Sequence, residues 1–250
     1  MFDKFLYLEM FALILFSQSV HSQITVACAA NMQYAMEEMK SACAKTGIGI
    51  KPIYGASGKF TSQIRNGAPF DVFVSADMDF PESLFVWGYA AEKPKVYAFG
   101  KLVIWSLKPG LAEKGVAALA DSGIRKIALA DPKRAPYGRE TVRALKNAGI
   151  YDAVSSKLVF GESISQAAQY IVTGAADIGF TAKSILLSPQ MKDKGTWREV
   201  DSTLYSVIAQ GVVMCRYGED NNPESSKAFV SFLLGNQSRD ILKQFGYSLP

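Results

Sequence analysis

Four turns of this 250-residue chain share one construction: a strand-like run ends in small residues and a helix-like run begins. They are Ala29-Ala30-Asn31 before Met32, Gly55-Ala56-Ser57-Gly58, Ala135-Pro136-Tyr137-Gly138 and Gly161-Glu162-Ser163-Ile164. A helix start leaves backbone N–H groups unpaired and carries the positive end of the helix dipole. Several such starts converging make an anion site that needs no lysine or arginine. Serine and asparagine are also the ordinary helix caps, so each turn alone reads first as a cap. The spacing by itself leaves the ligand open.

Other chemistries are poorly served. The only histidine is His21, inside an N-terminal segment with the features of a cleaved leader. The mature chain then has none, which removes Ser-His-Asp and Cys-His catalysis and histidine-bound metals. Gly55-Ala56-Ser57-Gly58-Lys59 resembles a phosphate loop only superficially. The Walker pattern needs glycine where Ile53 stands and Ser or Thr where Phe60 stands. Asp71 and Asp77 flank a strand like a carboxylate pair, but no second motif supports acid–base work. Asp71 reads as a turn cap and Asp77 as part of the following crossover. Tyr97, Tyr137, Tyr170 and Tyr205 show no clustering suited to ferric iron and read as packing residues with surface hydroxyls. Cys28, Cys43 and Cys215 lack metal-ligand spacing and read as small buried hydrophobes, with no disulfide pair selected by the sequence. The formal charge is only +4 with no run of like charge, which argues against a nucleic-acid partner.

The elements that must position the four turns alternate strand with helix. Strands are expected at 24–28, 48–54, 71–75, 102–105, 126–130, 177–181 and 206–214, with Pro52 marking an edge or irregular position. Helices are expected at 32–45, ended by Gly47, and at 59–66. Others open at Pro136 with Val142, Leu145 and Ala148 inward, and behind Ser163 as N-cap; two more cover 223–234 and 238–245. Such alternation implies an α/β fold of mostly parallel sheets covered by helices. At 49% hydrophobic residues the chain has a normal globular core.

The N-terminus reads as an export signal. The apolar stretch 5–16 is shorter than the ~20 residues of a membrane span, and Val20-His21-Ser22 places small residues at the −3 and −1 positions. Cleavage is expected after Ser22, and loss of Asp3, Lys4 and Glu9 takes the net charge from +4 to +5.

Longer stretches resemble one family, the periplasmic molybdate-binding proteins of ABC importers. Ala27-Cys28-Ala29-Ala30-Asn31 looks like its first anion loop, and Gly55-Ala56-Ser57-Gly58 with Gln63-Ile64 like its second. Gly67-Ala68-Pro69-Phe70-Asp71-Val72-Phe73-Val74-Ser75-Ala76-Asp77 is the most specific stretch. Asp131-Pro132 with Pro136-Tyr137-Gly138 resembles the second-lobe loop, and Phe245-Gly246-Tyr247 the C-terminal signature. The likeness runs over essentially the whole mature chain.

This resemblance implies a type II periplasmic-binding-protein fold with two hinged lobes and the ligand in the cleft between them. Lobe 1 is expected at 23–100, rejoined by 206–250, and lobe 2 at 101–205, behind a signal peptide at 1–22. Carried across by position, the oxyanion donors are Asn31, Ser57, the N–H of Tyr137 and the N–H of Ile164. Asn31 replaces the family's more usual serine, and Ala182 stands where the family places a tyrosine hydroxyl. Ser163, Thr181 or Ser184 are the candidates to compensate. The implied function is capture of molybdate, and tungstate with it, by a periplasmic monomer that serves an inner-membrane ABC permease. No cofactor and no catalysis are implied. The alternatives are a receptor for sulfate or another oxyanion, or an enzyme on the same fold, for which Cys28 is the one nucleophile near a loop.

Overall fold

A computed structural model describes residues 23–250; the expected leader and its cleavage point after Ser22 lie outside the described residues. The chain begins with β1 (Ile24–Ala29), a 3-10 turn (Ala30–Met32), α1 (Gln33–Lys45), β2 (Ile50–Gly55), α2 (Ser57–Arg65), β3 (Val72–Val74), α3 (Asp79–Val86) and β4 (Lys95–Gly100). It continues with β5 (Leu102–Ser106), β6 (Ile127–Ala130), α4 (Pro136–Asn147), α5 (Tyr151–Val154), β7 (Leu158–Gly161), α6 (Ile164–Val172), β8 (Ile178–Ala182), α7 (Lys183–Leu186) and β9 (Thr196–Glu199). It ends with β10 (Ile208–Met214), α8 (Arg216–Asn221), α9 (Pro223–Leu234) and α10 (Asn236–Gln244).

Two five-stranded sheets result, ordered β2-β1-β3-β10-β4 and β7-β6-β8-β5-β9. In each, three strands pair in parallel: β1 with β2 and β3, and β6 with β7 and β8. The others pair antiparallel: β10 with β3 and β4, and β5 with β8 and β9. Both sheets are therefore mixed rather than mostly parallel. β4 passes to β5 through Lys101 alone, and β9 leads to β10, so these strands connect the sheets without a helical crossover. Antiparallel entry follows from that path.

Parallel pairing has a positional consequence. β1 and β2 finish in register at Ala29 and Gly55, and β6 and β7 at Ala130 and Gly161. The helix starts that follow are thereby set side by side, at the carboxyl ends of the strands, where open α/β sheets bind ligands.

Local chemistry accounts for the helix limits. Gly47, at φ 83°, ends α1 in the left-handed region. Pro136 fills the first position of α4, where its missing N–H costs nothing, and Ser163 Oγ caps α6 by accepting from Gln166 N–H. α2 starts at Ser57, two residues before the sequence expectation, so the second turn is itself the first helical turn. The inner face of α4 is Tyr137, Thr141, Ala144 and Leu145; Val142 and Ala148 lie half-buried at its margin. The three thiols are buried and unpaired. No helix among the described residues is long and apolar enough to cross a membrane.

Asp177, before β8, ties three segments of the second sheet together. Its carboxylate accepts from the N–H groups of Arg125 and Lys126 and from Lys108 Nζ, and its carbonyl accepts from Ser106 Oγ. Burial raises the carboxyl pKa, but these donors outweigh burial and hold it at about 2. A depressed pKa contributes stability that is present above the ordinary value near 4 and lost as pH falls from about 4 to about 2. Asp177→Asn is expected to lower stability at pH 7 by about 1–2 kcal/mol after allowance for solvent screening. Urea unfolding should show that gap closing below pH 3.

Candidate functional site

The four turns meet at one small cavity between the sheets. Its wall is made of Ala29, Ala30 and Asn31; Gly55, Ala56 and Ser57; Ala76; Ala135, Pro136 and Tyr137; and Ile164. Asn31, Ser57, Tyr137 and Ile164, far apart in sequence, thus line one space. None of these lining residues carries a charge.

Each donor is held by its element. Ser57 opens α2 and is 1% exposed. Its Oγ accepts from Ala76 N–H at 3.0 Å, which leaves its own proton free for donation. Tyr137 and Ile164 are the second and first residues of α4 and α6, positions whose N–H groups have no intrahelical acceptor. Asn31 sits in the 3-10 turn that leads into α1 and is also 1% exposed. Its Nδ2 donates to Gln210 Oε1 and to Tyr247 Oη, both at 2.9 Å, and its Oδ1 is buried with no partner.

Behind Asn31 lies a buried polar cluster that sequence reasoning did not single out. Gln210, fully buried in β10, touches Tyr97 Oη at 2.7 Å and donates from Nε2 to Tyr137 Oη at 3.1 Å. Tyr97 Oη also donates to the Ser75 carbonyl at 3.1 Å. The hydroxyls of Tyr97 and Tyr137 are therefore interior rather than at the surface as their sequence suggested, because Gln210 partners both. Burial pushes the pKa values of Tyr97, Tyr137 and Tyr247 up, so all three stay protonated at neutral pH. The signal for this cluster was a glutamine third in the otherwise apolar run Ile208–Met214.

The three residues considered as substitutes for the family tyrosine lie outside the cavity wall. Ser163 Oγ serves as the α6 cap, Thr181 is buried in β8 with Oγ1 unpartnered, and Ser184 Oγ donates to the Asn31 carbonyl at 2.9 Å. Ala182 is fully buried and also outside the wall. Tyr247, also outside the wall, sets a tyrosine hydroxyl beside Asn31.

Direct contacts hold the two lobes together around the cavity. Gly58 N–H donates to the Arg134 carbonyl at 2.9 Å, and Ser165 Oγ donates to the Ala30 carbonyl at 3.1 Å. Gly58 carries no side chain because a Cβ there would meet Phe80 Cζ at 2.9 Å and Arg134 O at 3.0 Å. Arg139 of α4 reaches Asp77 at 2.8 Å and Asp79 at 3.1 Å, and Lys59 reaches Glu162 at 2.6 Å. Burial pushes the Asp77 carboxyl up, opposed by Arg139. Asp71, read as a turn cap, accepts from Thr25 N–H and from Asn222 Nδ2.

Nothing here assembles a reactive group. The Cys28 thiol is fully buried outside the cavity wall, and burial pushes its pKa up, away from thiolate chemistry. No cluster of three or more His, Cys, Asp or Glu side chains suited to a metal ion occurs among the described residues.

Comparison with known proteins agrees with this geometry. The family of bacterial extracellular solute-binding proteins matches residues 24–248. Over 230 residues the chain is 39% identical to the molybdate-binding protein ModA of Azotobacter vinelandii, covering 91% of this chain and 90% of that one. Identity to ModA of Rhodobacter capsulatus is 36% over 228 residues, covering 90% and 88%. The solved periplasmic molybdate-binding protein of A. vinelandii matches the fold with a TM-score of 0.85 at 34% identity, covering 91% of this chain and 99% of that one. The chain belongs to the bacterial extracellular solute-binding proteins and, within them, to the family of periplasmic molybdate-binding proteins.

Proposed function

We propose that this chain captures molybdate, and tungstate with it, in the cavity between its lobes and delivers it to an ABC permease of the inner membrane. The observation that carries this reading is a small, uncharged cavity on which four donor-bearing turns converge. Molybdate, tungstate and sulfate are fully deprotonated dianions near pH 7, so a site for them requires donors only. Each hydrogen bond to such an ion is charge-assisted, and exclusion of water strengthens it. Phosphate retains a proton and is better served where an acceptor carboxylate lines the site. The choice between molybdate and sulfate then rests on cavity size.

In this reading the oxyanion is held by the Asn31 side chain, Ser57 Oγ and the N–H groups of Tyr137 and Ile164. No reaction is catalysed, and the molybdenum is cargo carried as its oxyanion. Lobe 1 comprises 23–100 and 206–250, and lobe 2 comprises 101–205. They hinge at Lys101 and at the segment before β10, and the interlobe hydrogen bonds belong to the closed form. Export by the 1–22 leader places the protein in the periplasm, where it acts as a monomer.

Isothermal titration of the mature protein against molybdate, tungstate, sulfate and phosphate tests the reading. One-to-one binding of the first two, with neither of the others competing, is the expected outcome. Sulfate or phosphate binding equally well would replace the ligand, and no binding of any of the four would remove the function. Ser57→Ala is expected to weaken molybdate about ten- to hundredfold, the size of one charge-assisted hydrogen bond. An unchanged Kd in the same titration would take Ser57 out of the site.

A further inference from the structure

The cluster behind Asn31 contains two mismatches. Asn31 Oδ1 is buried without a donor, while the single proton of Tyr97 Oη faces two acceptors, the Ser75 carbonyl and Gln210 Oε1. The nitrogen and oxygen of a carboxamide have the same shape, so hydrogen bonding decides which end lies where. One operation removes both mismatches: turning over the amides of Asn31 and Gln210 together.

The order of donors then follows from one fixed group. The Ser75 carbonyl can only accept, so Tyr97 donates to it and its oxygen must accept in turn. Gln210 therefore presents Nε2 to Tyr97 and, from the same nitrogen, to Asn31, across separations of 2.7 and 2.9 Å. Asn31 must meet it with Oδ1, which also accepts from Tyr247 Oη at 2.9 Å, the tyrosine proton turning there from Ser184 Oγ and the Asn31 carbonyl, and that carbonyl keeps its donor in Ser184 Oγ. The other end of Gln210, now Oε1, accepts from Tyr137 Oη at 3.1 Å. Both protons of Asn31 Nδ2 are then left without a protein acceptor on a residue that lines the cavity, where the opposite orientation would offer an acceptor oxygen to a dianion.

We propose that Gln210 is a positioning residue: anchored through Tyr97 to the Ser75 carbonyl, it holds the Asn31 carboxamide with its donor end toward the bound oxyanion. The inference rests on the oxyanion reading of the cavity and assigns its polarity. Gln210 does not line the cavity, and its contact with Tyr137 is to the phenol hydroxyl rather than to the N–H offered to the oxyanion.

The test uses the exported protein, first titrated with sodium molybdate. Absence of binding there defeats the functional reading itself, and this inference with it. In the molybdate-loaded protein, side-chain amide NMR should show the Gln210 NH2 protons close to the Tyr97 ring. The Asn31 NH2 protons should show no proximity to the Tyr247 ring. Asn31 NH2 close to Tyr247, with Gln210 NH2 close to Tyr137 only, would overturn the assignment while leaving the function standing. A double-mutant cycle supplies the second readout. Gln210→Met should weaken molybdate about tenfold, the equivalent of one hydrogen bond to an ion. In the Asn31→Ala background the same change should cost less than about twofold, because the residue it positions is gone. Equal losses in both backgrounds would make Gln210 a packing residue and overturn the proposal.

Discussion

Asn31→Asp is expected to raise the molybdate Kd by about a thousandfold at pH 8. The substitution changes the side-chain volume little and puts a carboxylate where a carboxamide lines a cavity without charged residues. A unit charge about 5 Å from a dianion, at an effective dielectric of about 20, costs roughly 7 kcal/mol. Partial screening still leaves the roughly 4 kcal/mol that a thousandfold loss requires. The same burial that makes Asn31 effective raises the pKa of the new carboxyl. Neutralisation therefore sets in as pH falls, and affinity should recover in part by pH 5.5. The parent protein has no titrating group on the cavity wall that changes state between pH 5.5 and 8, so its affinity should stay flat. Titration at both pH values separates charge repulsion from misfolding, which acidification would not reverse. A variant within threefold of the parent at pH 8 would place Asn31 away from the anion.

The parts of the fold written into neighbouring residues were legible before the structure. The alternation of Ile24-Thr25-Val26-Ala27-Cys28, the stop at Gly47 and the cap at Ser163 are local signals, and β1, α1 and α6 follow them closely. Pro52 marked an edge or irregular position, and β2 is the edge strand of its sheet. β4 and β9 carried no comparable pattern: both are edge strands, and Thr196–Glu199 is largely exposed. Strand direction was hidden too, because it depends on which sheet a strand enters, and that is settled by β5 and β10 crossing between lobes. The four donor turns were legible as helix starts, while their shared cavity depends on the in-register ends of β1 with β2 and β6 with β7. Least legible was Gln210. Its partners Asn31 and Tyr97 lie 179 and 113 positions away, so only the closed tertiary structure explains a glutamine inside an apolar strand. The same holds for Tyr247, which brings a hydroxyl to Asn31 from 216 positions away.

Gly100→Ala is expected to be strongly damaging at the point where the chain passes from the first sheet to the second. Gly100 ends β4, and a Cβ there would stand 2.1 Å from Tyr137 Oη and 2.5 Å from Gln210 Nε2. Both neighbours are buried, so neither side chain can swing into solvent. Tyr137 is also the second residue of α4 and lines the cavity, so a shift that relieves the clash moves the cavity wall as well. Overpacking of this kind costs about 2–4 kcal/mol, which lowers Tm by roughly 5–15 °C in a protein of this size. Gly49→Ala is the control, since its Cβ would meet only Gln23 at 3.5 Å and longer, and its effect should stay within about 0.5 kcal/mol. Tyr137→Phe in the Gly100→Ala background removes the hydroxyl that the methyl meets first. The pair should then be more stable than the sum of the single changes by about 1 kcal/mol, a coupling that thermal unfolding of the four proteins measures directly. Strict additivity would mean that the two sheets move apart to admit the methyl group rather than compress around it. In that event Gly100→Ala should lose molybdate affinity without losing Tm.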